Sequence, residues 1–327
     1  MCFLKRVYKK IKSLIRKVIK EENIQIHSVY GKIYPPIYNL QVPIKDKPLE
    51  IYNSDGMPMN VFFIRDQHCA HGNGPKSKYF IWDRFNLGLE THFYTHNCML
   101  ETMGKPSKKY GWLVESESIC PNDYNIFLKH AGLEKEFNFI FTFSEKILNS
   151  ISNARLVPFS MDPSVSASDN RQYQKKNKNI SIIASGKDLC ELHRLRNSLA
   201  LTCKNAGIAD AFGKHCGGGW FENHEPFLDY RFSVVVENDV SAYYFTEKVT
   251  SCFSTFTIPV YLGALKINEF FNKDGIITFS PKDNIEQILK KCTREEYENR
   301  LPAVIDNYNR IMKYGTVFDR MYEDYIK

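Results

Sequence analysis

Residues 230–263 read YRFSVVVENDVSAYYFTEKVTSCFSTFTIPVYLG, and this stretch decides the fold. Phe232–Val236 is an apolar run of strand length that stops abruptly at Glu237-Asn238-Asp239. After a short loop, Tyr244–Phe253 predicts a helix, and Ile258–Leu262 predicts a second apolar strand closed by Gly263. A strand that is apolar throughout belongs in a sheet covered on both faces, and a strand–helix–strand unit makes that sheet parallel.

The same alternation extends in both directions. Ile180–Ala184, Leu189–Cys203, Ile267–Phe271, Ile276–Phe279 and Asn284–Lys291 continue it as strand, helix, short helix, strand and helix. Upstream, Asn60–Arg65, Thr91–Thr95, Lys109–Val114, Phe137–Phe143 and Ala154–Phe159 predict strands, with helices at Asp123–Ala131 and Glu145–Ile151. Between the two sets, residues 163–179 read PSVSASDNRQYQKKNKN, polar almost throughout and suited to an interdomain linker. The expected organisation is a basic segment over 1–22, one α/β domain over 23–165, a linker over 166–179 and a second α/β domain with C-terminal helices over 180–327. Two such domains in series place a ligand cleft between the carboxyl ends of their strands.

Composition narrows the function. The chain has 327 residues, 43% hydrophobic and 25% charged, which suits a folded protein of about two domains. The net charge of +7 suggests a nucleic-acid binder until it is located. Residues 1–20 hold eight Lys and Arg and no acid, which leaves 36 basic against 37 acidic groups in the rest, a net −1. Nucleic-acid binding by the body is therefore disfavoured. Within the tail, Phe3, Leu4, Val7, Tyr8, Ile11, Leu14, Ile15, Val18 and Ile19 share one helical face opposite the basic residues. Such a helix suits an anionic membrane surface; packing on the protein's own surface is the alternative.

No run of about 18 apolar residues is present to span a bilayer, and the charged N-terminus does not read as a cleavable signal. Nine scattered cysteines, none spaced C-x-x-C, fit a reducing cytoplasm. His92 and His96 share a strand face without a third ligand in the neighbouring sequence, so packed or acceptor-side histidines are expected there in place of a metal site.

Tyr244, Thr246, Glu247, Lys248, Ile258, Pro259 and Gly263 fall on the C-terminal signature of the α1,3/1,4-fucosyltransferases, which the segment resembles. Weaker similarities stand in the same order. SIIASGKDLCELHRLRNSL at 181–199 resembles the family's strand, loop and Arg-bearing helix, and AFGKHCG at 211–217 resembles a glycine turn. GWLVESESICP at 111–121 resembles its strand ending in a glutamate. WDRFNLGLETHFYTH at 82–96 is similar to bacterial surface-polysaccharide relatives.

The resemblance implies two Rossmann-like domains facing across a cleft, the GT-B architecture. It further implies an inverting glycosyltransferase that uses GDP-fucose and a glycan hydroxyl, in cell-surface polysaccharide or lipopolysaccharide synthesis. It implies no cofactor beyond the donor substrate.

The residue types agree with that chemistry. A diphosphate leaving group needs compensating positive charge. No D-x-D triplet offers a metal site, and Arg196 and Lys248 are candidates to supply the charge directly. Glu247 suits ribose hydroxyls, Tyr244 the ribose or base, Glu237 sugar hydroxyls and Asn238 the base or backbone. Glu115, with Glu117 as alternative, is a strand-end carboxylate able to take the acceptor's proton. Gly213 and Gly217–Gly219 either admit a ligand to the backbone or form a flexible loop. Two other readings remain open at this point: the same fold with another nucleotide-sugar, and a non-catalytic sugar- or membrane-binding module.

Overall fold

The computed structural model describes residues 56–65, 77–83, 86–100, 102–158, 172–314 and 316–327. The expected basic segment over 1–22 and residues 166–171 of the expected linker lie outside them. Two all-parallel sheets form the framework. The first contains β1 (Asn60–Arg65), β2 (Phe80–Asp83), β3 (Thr91–Thr95), β4 (Lys108–Trp112), β5 (Phe139–Thr142) and β6 (Ala154–Leu156), in the order β2-β1-β3-β4-β5-β6. The second contains β7 (Lys178–Ile183), β8 (Asp210–Phe212), β9 (Tyr230–Val236), β10 (Ile258–Leu262) and β11 (Ile277–Thr278), in the order β11-β10-β9-β7-β8.

Each sheet is covered on both sides, which accounts for its apolar strands. In the second, Phe232, Val234 and Val236 enter one core with Ile258, Val260 and Leu262, while Val235 and Tyr261 enter the opposite one. In the first, Phe63, Tyr94 and Ile140 face one core, and Phe62, Ile64, Phe93, Tyr110 and Phe141 the other. Successive side chains alternate across the sheet, so both faces need apolar residues.

Apart from the one expected at Leu189–Cys203, which is shifted by two residues, the helices are shorter than their apolar pattern suggests. Alongside α1 (Ile126–Lys129) and α2 (Glu145–Ser150) in the first unit, the second has α3 (Glu191–Asn205), α4 (Glu247–Ser254) and α5 (Ile285–Lys290). The predicted helix from Tyr244 begins only at Glu247. Thr246 takes extended backbone and its hydroxyl accepts the Lys248 N–H, an N-cap that stops the helix from reaching upstream.

Two parts of the expected organisation change. Gln172–Asn179, read as linker, belongs to the second unit, as a 3-10 turn at Gln172–Lys175 and the start of β7. Its composition is polar, yet Lys176 is buried. The Lys176 ammonium lies 2.6 Å from the Tyr230 carbonyl oxygen and 2.9 Å from both the Phe227 carbonyl and Thr257 Oγ1, fastening the β9 and β10 approaches together.

The C-terminal residues also do not stay with the second unit. After α6 (Arg294–Tyr314), α7 (Val317–Met321) and a π-helical turn (Tyr322–Ile326) pack on the first sheet. Phe318 lies edge-on to Phe80, Trp82 and Trp112, and Asp319 accepts Ser77 Oγ at 2.7 Å and the Lys78 N–H at 2.8 Å.

Cys190, Cys203, Cys216, Cys252 and Cys292 are free thiols, and no helix of the described residues is long and apolar enough to cross a membrane.

Lys176→Met keeps the aliphatic stem and removes the ammonium, leaving buried carbonyl oxygens short of donors. Such orphans cost about 1–3 kcal/mol each, so unfolding in denaturant should show a loss of about 3 kcal/mol. A loss under about 1 kcal/mol would mean that the ammonium is not what joins these segments.

Candidate functional site

In the second sheet the chain leaves β7 for β8 on one side and returns to β9 on the other. The strand order reverses there, and a crevice opens beyond the carboxyl ends of β7 and β9. The crevice is a cavity of about 450 Å³. Ile183 and Ser185 border it from the end of β7, Asn238 from the end of β9, and His193 and Arg196 from α3. Tyr244, Glu247 and Lys248 approach from the α4 N-terminus, and Glu115 and Ile119 cross from the first unit beyond β4. Six of the eight residues singled out from sequence therefore meet in one place: Glu115, Arg196, Asn238, Tyr244, Glu247 and Lys248.

Glu237 and Glu117 do not. Glu237 is fully buried, below the wall and not on it. Its Oε1 accepts the Thr246 N–H at 2.9 Å, and its Oε2 accepts the Thr246 hydroxyl at 2.8 Å and Lys248 Nζ at 3.4 Å. Burial raises its pKa, opposed by the Lys248 charge. The carboxylate expected to meet sugar hydroxyls instead shapes the loop and aims a cation. Glu117 is half-exposed and pairs with Lys146 Nζ at 3.4 Å. Only one residue separates it from Glu115, but beyond Trp112 the chain has left the ladder and the strand alternation no longer applies.

Lys248 Nζ also contacts Thr246 Oγ1 at 2.9 Å and Glu247 Oε1 at 3.3 Å. Burial disfavours its charge, and the Glu247 and Glu237 carboxylates overcome that, raising its pKa. Arg196 is buried on α3 and donates from one terminal nitrogen to the Val236 carbonyl at 3.2 Å. Its Nε is buried without a partner among the described residues. The cleft thus holds a guanidinium whose donors are only partly used beside an ammonium at a helix start, an arrangement fit for an anion.

Facing these cations, Glu115 Oε1 accepts the Ser116 N–H at 2.8 Å and, from the second unit, Asn238 Nδ2 and the Tyr244 hydroxyl, both at 3.2 Å. Burial and the Glu115 charge push the Tyr244 pKa well above that of an ordinary phenol, so its hydroxyl stays a donor. Tyr244 thus supports the carboxylate; sequence reading assigned it to ribose or base.

Sequence reading missed several members of the wall. His193 is buried on α3, and its Nδ1 accepts the Leu189 N–H at 3.2 Å. Burial, reinforced by Arg196, lowers its pKa to about 4, so at neutral pH it presents an uncharged Nε2–H. Lys187, Phe221 and Asn223 also line the cavity. The signal for His193 was its place one turn ahead of Arg196.

Gly213 serves the fold. At φ 97° a Cβ would stand 2.4 Å from the Ala184 carbonyl oxygen, so its close neighbour is the chain's own β7 exit. His92 is buried with Nδ1 2.8 Å from the Tyr94 hydroxyl, a packed histidine as expected. His96, Cys120 and Asp123 gather within 4.8 Å of one another behind Glu115. Burial and the Asp123 charge push the Cys120 pKa up to about 12, which keeps the sulfur a thiol.

No protein-family model and no curated protein sequence matches the chain. Among solved structures, it is similar to an α1,3-fucosyltransferase with GDP, at a TM-score of 0.51 and 14% identity, over 84% of this chain and 94% of that one. Another α1,3-fucosyltransferase structure aligns at 0.47 and 15% identity, over 79% and 83% of the two chains. A third, with GDP-fucose, aligns at 0.45 and 13%, over 81% and 90%. The first likeness shows the fold, two Rossmann-like domains of GT-B type.

Gly263 tests the geometry around Glu237. A Cβ there would lie 2.3 Å from the Tyr261 hydroxyl and 2.6 Å from Glu237 Cγ, both fully buried. Gly263→Ala should therefore lower stability by about 1–3 kcal/mol, the usual cost of overpacking, measured by thermal or denaturant unfolding. An unchanged midpoint would show that the pocket behind Lys248 is loose.

Proposed function

We propose that this chain is an inverting glycosyltransferase that moves fucose from GDP-fucose to a hydroxyl of a glycan. One observation carries the reading: a carboxylate fixed by three hydrogen bonds, Glu115, shares a cavity with two cations, Arg196 and Lys248, held by the opposite unit. The GT-B fold supports it at the level of architecture. The choice of GDP and fucose rests on the resemblance of residues 230–263 to the α1,3/1,4-fucosyltransferases.

The reaction follows from these roles. The acceptor oxygen attacks the anomeric carbon while Glu115 takes the hydroxyl proton. The bond from that carbon to the diphosphate oxygen breaks, and its electron pair leaves with GDP. Attack opposite the leaving group inverts the centre, and no sugar–enzyme bond forms. Arg196 and Lys248 receive the charge that grows on the diphosphate, as preorganised cations do in such transition states. Lys248 then exchanges its share of Glu247 and Glu237 for phosphate oxygens. The donor is the only small molecule this scheme needs, with protein cations in the place a metal would otherwise fill. The acceptor is a cell-surface polysaccharide or lipopolysaccharide glycan, reached from the cytoplasmic face by an enzyme whose residues 1–20 lie on anionic lipid.

Thermal-shift measurements test the donor. GDP at 100 times its dissociation constant should add about 2.7 kcal/mol of stability, more than UDP, ADP or CDP at equal concentration, with or without a chelator. Stabilisation by UDP alone, or loss on chelation, would overturn the donor assignment. Lys248→Ala should weaken GDP binding about 10- to 150-fold, the value of one charge-assisted contact.

Glu115→Gln should leave GDP affinity within a few-fold and lower transfer by about 10²–10⁴. Glu117→Gln should behave as wild type. If both glutamine variants turn over normally, Glu115 is not the base.

A further inference from the structure

The ladder of β4 ends at Trp112, and the Leu113 N–H makes a last bond to the Phe141 carbonyl at 2.9 Å. The next two backbone donors, those of Val114 and Glu115, point to no carbonyl. Both reach His96 Nε2 instead, at 3.1 and 2.9 Å. An imidazole nitrogen accepts hydrogen bonds only when it carries no proton. The neutral ring therefore keeps its proton on Nδ1, which lies 3.0 Å from Asp123 Oδ2. His96 and Asp123 are both buried. The other Asp123 oxygen, Oδ1, accepts Asn97 Nδ2, which holds the carboxylate beside the ring. Tyr124, the next residue, donates its hydroxyl to the Glu115 carbonyl oxygen.

We propose that Asp123 and His96 are positioning residues for Glu115. Asp123 fixes the tautomer of His96, and His96 in that tautomer holds the backbone from which the base projects. The proposal rests on the reading of Glu115 as the base. It adds that the base is held in place by a buried pair that never touches substrate.

The arrangement needs both members. A lone histidine at this site is free to protonate Nε2, and that proton would meet two backbone N–H groups. A carboxylate 3.0 Å from Nδ1 favours the proton there by its charge, while the two N–H groups at Nε2 exclude it from the other nitrogen. Glu115 then has its N–H, its carbonyl and its carboxylate each held by a separate buried or half-buried group. The tautomer also separates this reading from a metal centre built on His96, Cys120 and Asp123, since a metal would displace the Nδ1 proton.

Asp123→Asn is the informative variant. Asn97 continues to require an acceptor, which turns the new amide NH₂ toward His96 and drives the ring proton to Nε2. Nitrogen NMR of histidine-labelled full-length protein should show a protonated Nδ1 and bare Nε2 at His96 in the wild type, and the reverse in the variant. Release of nucleoside diphosphate from the nucleotide-sugar should fall about 100-fold, the scale of a misplacement of about 1 Å. GDP affinity should stay within two-fold, whereas a loss of folded protein would lower both together. His96→Gln, whose amide oxygen offers an acceptor near the position of Nε2, should keep at least ten times the turnover of His96→Leu.

The proposal is overturned by a wild-type His96 protonated on Nε2, by stoichiometric metal in the purified protein that displaces the Nδ1 proton, or by a folded Asp123→Asn turning over within two-fold of wild type. If Asp123→Asn does not fold, the wild-type tautomer and the two His96 variants decide. If the wild type turns over no nucleotide-sugar, the proposed function fails separately. The tautomer and the movement of the Glu115 carboxyl carbon signal in the His96 variants then still decide whether the pair positions that residue.

Discussion

A carboxylate buried to exclusion of solvent at the end of β9 sets the terms for everything around it. An ion in such a place is strongly destabilising unless donors surround it. Glu237 obtains them from Thr246 twice and from Lys248 once. That requirement dictates where α4 begins, since the Thr246 that serves Glu237 is also its N-cap. It dictates the direction of the Lys248 side chain, and it leaves no room for a side chain at position 263. The spacing of Glu237, Thr246, Lys248 and Gly263 along the sequence is therefore the linear trace of one buried charge and its shell.

Legibility from sequence followed the range of the interactions. Asn60–Arg65, Thr91–Thr95 and Ile258–Leu262 were readable to the residue, because a strand covered on both faces is apolar within its own length. β2 was not, being four residues long, and α6 was not, since 21 residues of mostly polar surface with Pro302 inside give a weak periodic signal. The linker misled because Lys176 counts as a surface residue until three backbone carbonyls and a hydroxyl converge on it from distant segments. In the candidate site, six residues that reach the cavity were found from motif and chemistry, while His193, Lys187, Phe221 and Asn223 were not. Of those acting from behind, His96 was read as a packed histidine without its partners, and Glu237 and Asp123 were misassigned or missed, because burial is a tertiary property that a motif does not encode.

The cleft is also where the two halves of the molecule touch. Glu115 meets Asn238 and Tyr244, Ser118 Oγ donates to Asp239 at 2.6 Å, and Lys266 pairs with Glu145 at 2.6 Å. The last two are exposed contacts of small individual worth. The Glu115 contacts differ because their donors are buried and held within the second unit's own core loop. The geometry of the first unit's carboxylate is thus partly written by the second unit, so opening of the cleft would strip it of two of its three donors.

The return of the chain to its first sheet has a bearing on how the protein is made. Phe318, Val317 and Met321 complete an aromatic core whose other members, among them Phe62, Phe80 and Trp82, precede the second sheet in the sequence. During translation that core stays open while the entire second sheet is produced, since its last wall, Val317–Ile326, follows that sheet in the sequence. The second unit, whose strands and helices all lie between Gln172 and Tyr314, faces no such wait. The core of the first sheet can therefore be completed only after every strand of the second has been made.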